Sequence, residues 1–157
     1  MNDTTTAKKK AIIFDVDGTM ANLDHRLHWV RSKPKNWPAF FEGIHLDEPI
    51  ETVIRMLKNF HADGYTILVC SGRGRDLFDK TAKWFEEKAG VLHLITDVFM
   101  RAEKDQRSDD IVKSELLDEI LAQGYEIVAV VDDRPKVIRM WKKRGLFVIN
   151  VGSGVEF

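Results

Sequence analysis

The stretch Ala11-Ile12-Ile13-Phe14-Asp15-Val16-Asp17-Gly18-Thr19 constrains the fold of this chain more than any other. An apolar run of strand type stops at two carboxylates one residue apart, followed by a glycine and a hydroxyl. A short, uninterrupted apolar strand is the kind buried on both faces inside a parallel sheet. Open α/β sheets place their chemistry just beyond the C-terminal ends of such strands. Two aspartates held there raise each other's pKa unless a cation neutralises them. A bare Asp-x-Asp pair also serves in turns and caps; Gly18 and Thr19 behind it make the string far more specific.

The rest of the chain supplies the partners that such a strand needs. Helix-like segments at 49–62, 77–88, 109–122 and 135–144 alternate with strand-like segments at 65–70, 91–95, 127–131 and 146–151. Ile50, Val53, Ile54, Leu57 and Phe60 fall on one helical face, and Gly64 stops that helix. Asp109 is placed to cap its helix and Gly124 to end it, while Pro135 suits the first turn of the next. This alternation predicts an α/β fold, a parallel sheet with helices on both faces. Residues 20–47 break the pattern. Leu23, Leu27 and Val30 share a face of a short helix, Pro34 and Pro38 interrupt it, and Trp37, Phe40 and Phe41 form an aromatic cluster. A small helical insertion directly after the first strand is well placed to act as a lid.

With 157 residues, 44% of them hydrophobic, and a formal net charge of −1, the chain reads as one soluble domain with an ordinary core. There is no overall basic excess, so any nucleic-acid contact must rest on a local patch. Residues 1–10 are expected to be a flexible basic tail, neither signal peptide nor anchor, and residues 11–157 the domain. The single cysteine, Cys70, ends an apolar run and reads as a small buried hydrophobe. Without an intrachain disulfide the chain suits a reducing, cytoplasmic setting.

The string from Asp15 to Thr19 resembles the first motif of the haloacid-dehalogenase-like (HAD) phosphatases. Leu68-Val69-Cys70-Ser71-Gly72-Arg73, then Lys113, then Val130-Val131-Asp132-Asp133 resemble the later motifs, in order. Within that superfamily the chain is most similar to the 3′-phosphatase domains of phage-type polynucleotide kinase-phosphatases. The likeness runs from Ile12 to the C-terminus and takes in Arg26, Arg101, residues 107–113 and Asp132-Asp133-Arg134 up to Met140-Trp141. The chain departs from that pattern in a longer stretch at 31–44, which holds Trp37.

The resemblance implies a Rossmann-like HAD fold with the first strand central and the Asp132 strand beside it. It implies a Mg²⁺-dependent phosphomonoesterase with Asp15 as the nucleophile that forms an aspartyl-phosphate. Asp17 then protonates the leaving alkoxide and later takes a proton from the hydrolytic water, a task that calls for a raised pKa. Asp15, the Asp17 backbone carbonyl, Asp132 and Asp133 are the implied metal ligands, an oxygen set suited to Mg²⁺. Thr19, Ser71 and Gly72 are implied to bind the phosphate, and Lys113 to stabilise the anionic transition state. Arg26 and Arg73 are expected to grip phosphates from opposite sides of the entrance, with Asp109 orienting one of them. His25 and His28 have no zinc spacing around them.

Three functions follow from these residues. The first is removal of 3′-phosphates from nucleic-acid ends, in an end-repair setting. The second is hydrolysis of free nucleotides or other small phosphate esters. The third is a non-catalytic module that binds phosphate ends, against which an intact Asp17 argues, since a mere binder needs no acid-base group. The sequence holds no Gly-x-x-x-x-Gly-Lys-[Ser/Thr] loop, so no kinase half is expected in it. It contains no membrane segment and points to no particular protein partner.

Overall fold

The computed structural model describes residues 7–154. After β1 (Lys9–Phe14) the chain makes β2 (Ala21–Asn22), α1 (His28–Arg31), α2 (Trp37–Glu42) and β3 (Glu48–Pro49). It continues through α3 (Glu51–Ala62), β4 (Thr66–Gly74), α4 (Phe78–Glu87), β5 (Ile95–Arg101) and α5 (Asp109–Ala122). The last elements are β6 (Tyr125–Asp132), α6 (Pro135–Lys143) and β7 (Val148–Asn150). The large sheet has the order β5-β4-β1-β6-β7, and every pairing in it is parallel.

The two-residue period of β1 explains why it lies at the centre. Ile12 and Phe14 pack toward Val53, Ile54 and Leu57 of α3 and Trp84 and Phe85 of α4. Ala11 and Ile13 face the other way, toward Val112, Leu116, Leu117 and Ile120 of α5 and Val137 and Trp141 of α6. These four of the six β1 residues are fully buried, which is what an unbroken apolar run requires. The outward order β1-β4-β5 and the return to β6-β7 reverse direction across β1, so a crevice opens beyond its C-terminal end.

Residues 20–47 form a small layer over that end. β2 and β3 pair antiparallel, Ala21 with Pro49 and Asn22 with Glu48, so the insertion leaves and rejoins the body at one clasp. It has its own core of Leu23, Leu27, Val30 and Phe40, with Phe41 packed against it. Among the described residues no helix is long and apolar enough to cross a membrane.

The structure differs from expectation at three places. Lys9 and Lys10, assigned to a basic tail, open β1 and pair with Tyr125 and Glu126, because β6 starts early enough to offer them a partner; residues 1–6 of that tail lie outside the described residues. The strand expected at 91–95 lies instead at Ile95–Arg101. Val91 closes the core behind α4, and a single turn over Leu92–Leu94 intervenes. Third, Ser108 takes the position before the first turn of α5; Asp109 is already helical and its carboxylate is used elsewhere.

Candidate active site

The crevice gathers its side chains from five elements. Asp15 and Asp17 follow β1, Ser71 to Arg73 end β4, Arg101 ends β5, Asp109 and Lys113 lie on α5, and Asp132 ends β6. Asp109 and Lys113 are four residues apart on a helix, so both face the sheet end. The backbone after Asp15 is fixed by a knot of bonds: the Thr19, Met20 and Ala21 N–H groups all donate to the Val16 carbonyl. Gly18 sits at φ 80°. A side chain there would overlap the Asp133 carboxylate, so a glycine lets the two segments close on each other.

The first group centres on Asp15. One oxygen from each of Asp15, Asp132 and Asp133 lies within 4.8 Å of the others. Lys113 Nζ donates to Asp15 Oδ1 at 2.8 Å and to Asp132 Oδ2 at 3.1 Å. The Thr19 hydroxyl lies 3.1 Å from Asp15 Oδ2 and 3.2 Å from Asp133 Oδ1. The Trp141 indole N–H donates to Asp132 Oδ2 at 3.0 Å, and the Asp133 N–H to Asp132 Oδ1 at 2.8 Å. Burial, then the Asp132 charge, push Asp15 well above the usual carboxylate range, with Lys113 partly opposing them. Asp133 is pushed up to about 6, chiefly by burial. Lys113 is itself driven upward, because Asp132 and Asp15 outweigh the effect of its burial. A cluster of hard oxygens with one lysine and surplus negative charge fits a small divalent cation.

The second group lies beneath the insertion and differs from the expectation. Arg26 and Arg73 are each 1% exposed, so they do not flank an entrance. Both converge on Asp17: Arg26 Nη2 lies 2.5 Å and Arg73 Nη2 2.6 Å from Asp17 Oδ1, and Arg73 Nε lies 3.1 Å from Oδ2. Asp47 backs them, accepting from Arg26 at 2.8 and 2.6 Å and lying 3.7 Å from Arg73. His25 Nε2 is 2.7 Å from the same Asp47 carboxylate, so this histidine serves the ion-pair network. Burial would raise the Asp17 pKa, but Arg73 and then Arg26 overcome it and hold the carboxylate well below its usual range. That reverses the expected upward shift, because the charges beside Asp17 are two guanidinium groups and Asp15 is not the dominant neighbour.

A third group lies on the far side of Ser71 and Gly72. Asp109 accepts from Arg101 and, at 2.6 Å, from Arg134. It therefore orients these two arginines, and neither Arg26 nor Arg73. Arg101 Nε also donates to the Gly72 carbonyl at 2.7 Å. A Cβ on Gly72 would run into the Asp109 carboxylate, so only a glycine admits this close approach. The Ser71 hydroxyl accepts from the Arg73 N–H at 3.1 Å.

Among protein families, a model of the polynucleotide kinase PNKP phosphatase domain matches residues 9–156. The chain belongs to that family. One curated relative, from Autographa californica nuclear polyhedrosis virus and provisionally named a bifunctional polynucleotide kinase/RNA ligase, is 29% identical over 136 residues. That match spans 85% of this chain and 18% of the viral protein. A solved Pnkp1/Rnl/Hen1 complex contains a chain that is 28% identical and superposes with a TM-score of 0.79, covering 98% of this chain and 50% of the other. The chain thus spans half or less of these relatives' lengths. A haloacid-dehalogenase-like hydrolase from Streptococcus pneumoniae shares the fold at 13% identity, with a TM-score of 0.68 over 94% of this chain and 87% of its own. This PNKP-phosphatase-family chain is therefore a HAD-type hydrolase with an α/β fold.

In this PNKP-family site, the residues singled out from sequence fall into the first and second groups, apart from Ser71, Gly72 and Asp109 beside the third. Sequence reasoning missed Asp47, which no motif marks, although it ends the insertion and is wholly buried. It also gave no role to Thr81, whose hydroxyl accepts from Arg73 Nη1 at 3.0 Å.

Proposed function

We propose that this HAD-type phosphatase removes 3′-phosphates from nucleic-acid ends through an aspartyl-phosphate on Asp15, with Mg²⁺ held by Asp15, Asp132 and Asp133. The observation that carries the reaction class is the Asp15 carboxylate, set at the end of the central strand and gripped by Lys113 and Thr19. A Mg²⁺ ion there would offset the carboxylate charges and polarise the phosphate. Asp15 contributes an oxygen to phosphorus as the phosphorus–ester oxygen bond breaks, and the electron pair departs with that oxygen. Asp17 is ionised while Arg73 and Arg26 hold it, so it first takes up a proton from solvent as the arriving phosphate draws those arginines away, and then passes that proton to the departing oxygen to give a free 3′-hydroxyl. Water then attacks the phosphorus of the aspartyl-phosphate, Asp17 takes the proton, and inorganic phosphate leaves with Asp15 restored. Lys113 neutralises charge on Asp15 before transfer and on the phosphoryl group it carries afterwards. A phosphate group offers Arg73 and Arg26 a second partner of carboxylate-like geometry, so its arrival would loosen their hold on Asp17. Ser71, Gly72 and Thr19 line the same crevice as phosphate contacts, with Asp109 acting through Arg101 and Arg134.

The family supports the nucleic-acid substrate, as do the relatives, one named for polynucleotide kinase and ligase activities and another solved in an RNA repair complex. In this reading the ends are those that kinase and ligase activities also serve, in the cytoplasm, where the lone buried thiol of Cys70 would stay reduced. A specific observation also favours free nucleotides: the cleft reaching Gly18 and Asp133 measures about 260 Å³, a small space. A panel of nucleoside 3′- and 5′-monophosphates, 3′-phosphorylated oligonucleotides and sugar phosphates, compared by kcat/KM, separates the readings. The oligonucleotides should lead. Nucleotides in the lead would transfer the assignment to small esters, and silence on all of them would leave a phosphate-end binding module.

A further inference from the structure

The loop between α1 and α2 takes no part in the chemistry above. Residues 25–41 contain no aspartate or glutamate. Residues 31–38 are exposed without a break and include Arg31, Lys33 and Lys35. Elsewhere exposed arginines find acids: Arg107 bridges Asp105 and Glu115, and Arg144 pairs with Asp118. Among the described residues none of the three loop cations is in an ion pair; Lys35 instead lies 5.6 Å from the ring centre of Trp37.

The tryptophans divide in the same way. Trp84 and Trp141 are buried, with their N–H groups bonded to the Asp47 carbonyl and the Asp132 carboxylate. Trp29 and Trp37 are 39% and 38% exposed and flank the basic loop. The Asn36 N–H donates to the Trp29 carbonyl at 2.7 Å, which draws the two ends of the loop together. His28 supports Trp29 at 4.7 Å between ring centres, and Phe41 stacks with Trp37 at 5.9 Å. Indoles braced by neighbouring rings, as Trp37 also is by Phe40 edge-on at 5.6 Å, and still open to solvent offer surface to another ring. Arg31 also lines the cleft that runs to Gly18 and Asp133, with Asp24 in the same wall, so the loop is continuous with the catalytic crevice.

The occupant follows from charge and shape. Protein interfaces favour aromatics and arginine but are depleted in lysine. A polyanion with flat rings matches acid-free cations interleaved with exposed indoles better, since unpaired bases stack on aromatics while cations track the backbone. We propose, resting on the nucleic-acid-end reading, that this loop is a platform for the single strand leading to the scissile 3′ end. Bases stack on Trp29 and Trp37, phosphates follow Lys35, Lys33 and Arg31, and the terminal nucleotide passes along the cleft to Asp15.

The test uses the full chain and two variants, W29A and K33A/K35A, whose altered side chains are exposed. Binding of a labelled single-stranded oligonucleotide with a 3′-hydroxyl is read by anisotropy and by quenching of indole fluorescence. Each variant should bind on the order of 10-fold more weakly than wild type, and K33A/K35A should also show a shallower salt dependence. On 3′-phosphorylated oligonucleotides the gain in kcat/KM with length should shrink in both, with nucleoside 3′-monophosphate turnover unchanged. Variants that bind as tightly as wild type overturn the platform, and wild-type activity on 3′-phosphorylated ends would then leave the function itself standing. A wild type that binds no oligonucleotide overturns it too, handing the loop to a protein partner. Binding lost through the loop in a protein that hydrolyses no 3′-phosphate supports the platform and removes the proposed reaction.

Discussion

Lys113 and Asp15 form an ion pair 2.8 Å long in a setting where each is nearly inaccessible to water. Removing one member of a buried pair costs about 3–5 kcal/mol, because the other keeps its desolvation penalty. Lys113→Met should therefore lower stability by about that amount in urea titrations and lower kcat by ~10²-fold or more. Added Mg²⁺ should recover part of the stability and little of the rate. Asp15→Asn keeps the shape but loses the nucleophile, and a loss of at least ~10³-fold in kcat is expected, as for other essential members of a catalytic unit. Near-wild-type hydrolysis by a clean preparation of that variant would end the nucleophile assignment. Cys70 offers a pH readout. Burial pushes its thiol up to about 12, because the thiolate would be the desolvated form. The folded protein should stay inert to thiol reagents under mildly alkaline conditions, where an unfolded cysteine, with a pKa of about 8.5, reacts readily. Reaction at equal rates with and without denaturant would contradict that burial.

At the scale of elements, the insertion is fastened to the body through Asp47. That carboxylate holds Arg26 and His25, while its carbonyl accepts from the Trp84 indole on α4 at 2.9 Å. Asp47→Ala should cost about 3–5 kcal/mol in chemical denaturation, since it removes the carboxylate bonded to Arg26 Nε and Nη2 and leaves that buried guanidinium to share Asp17 with Arg73. Arg26→Ala should lower kcat/KM equally for nucleoside 3′-monophosphates and oligonucleotides, because Arg26 lies under the insertion and not along the path of a strand. Much of this layer was hidden in the sequence. The unbroken apolar run Ala11 to Phe14 told that this strand is buried on both faces, the family resemblance placed it at the centre, and the acids after it told where the crevice lies. β5 was misplaced because edge strands carry polar residues, and Asp97 and Arg101 disguised it. The grouping of Arg26 and Arg73 on Asp17 was illegible for a different reason. It depends on Asp47 arriving from the far end of the insertion, and no local pattern encodes a contact across that distance.

For the molecule as a whole, metal and fold should be thermodynamically linked. An ion that binds only the folded state stabilises it by about 2.7 kcal/mol when present at ~100-fold its Kd. Mg²⁺ should raise the melting temperature of the wild type and fail to do so in Asp132→Asn, and EDTA should abolish hydrolysis. A melting temperature indifferent to Mg²⁺ would speak against the carboxylate cluster as its site. The paired strands β2 and β3 have a longer reach. Because the insertion begins and ends at neighbouring backbone positions, the sheet registers only that junction and not what is threaded between. Doubling such a loop costs only about 0.6 kcal/mol in closure entropy. Between Arg26 and Asp47, which anchor it, the exposed residues 31–38 form an exchangeable cassette, while Val30, Phe40 and Ile44 stay buried beneath them. A lineage, or an engineer, can rewrite that cassette and redirect the enzyme to new substrates without touching the residues that break the bond.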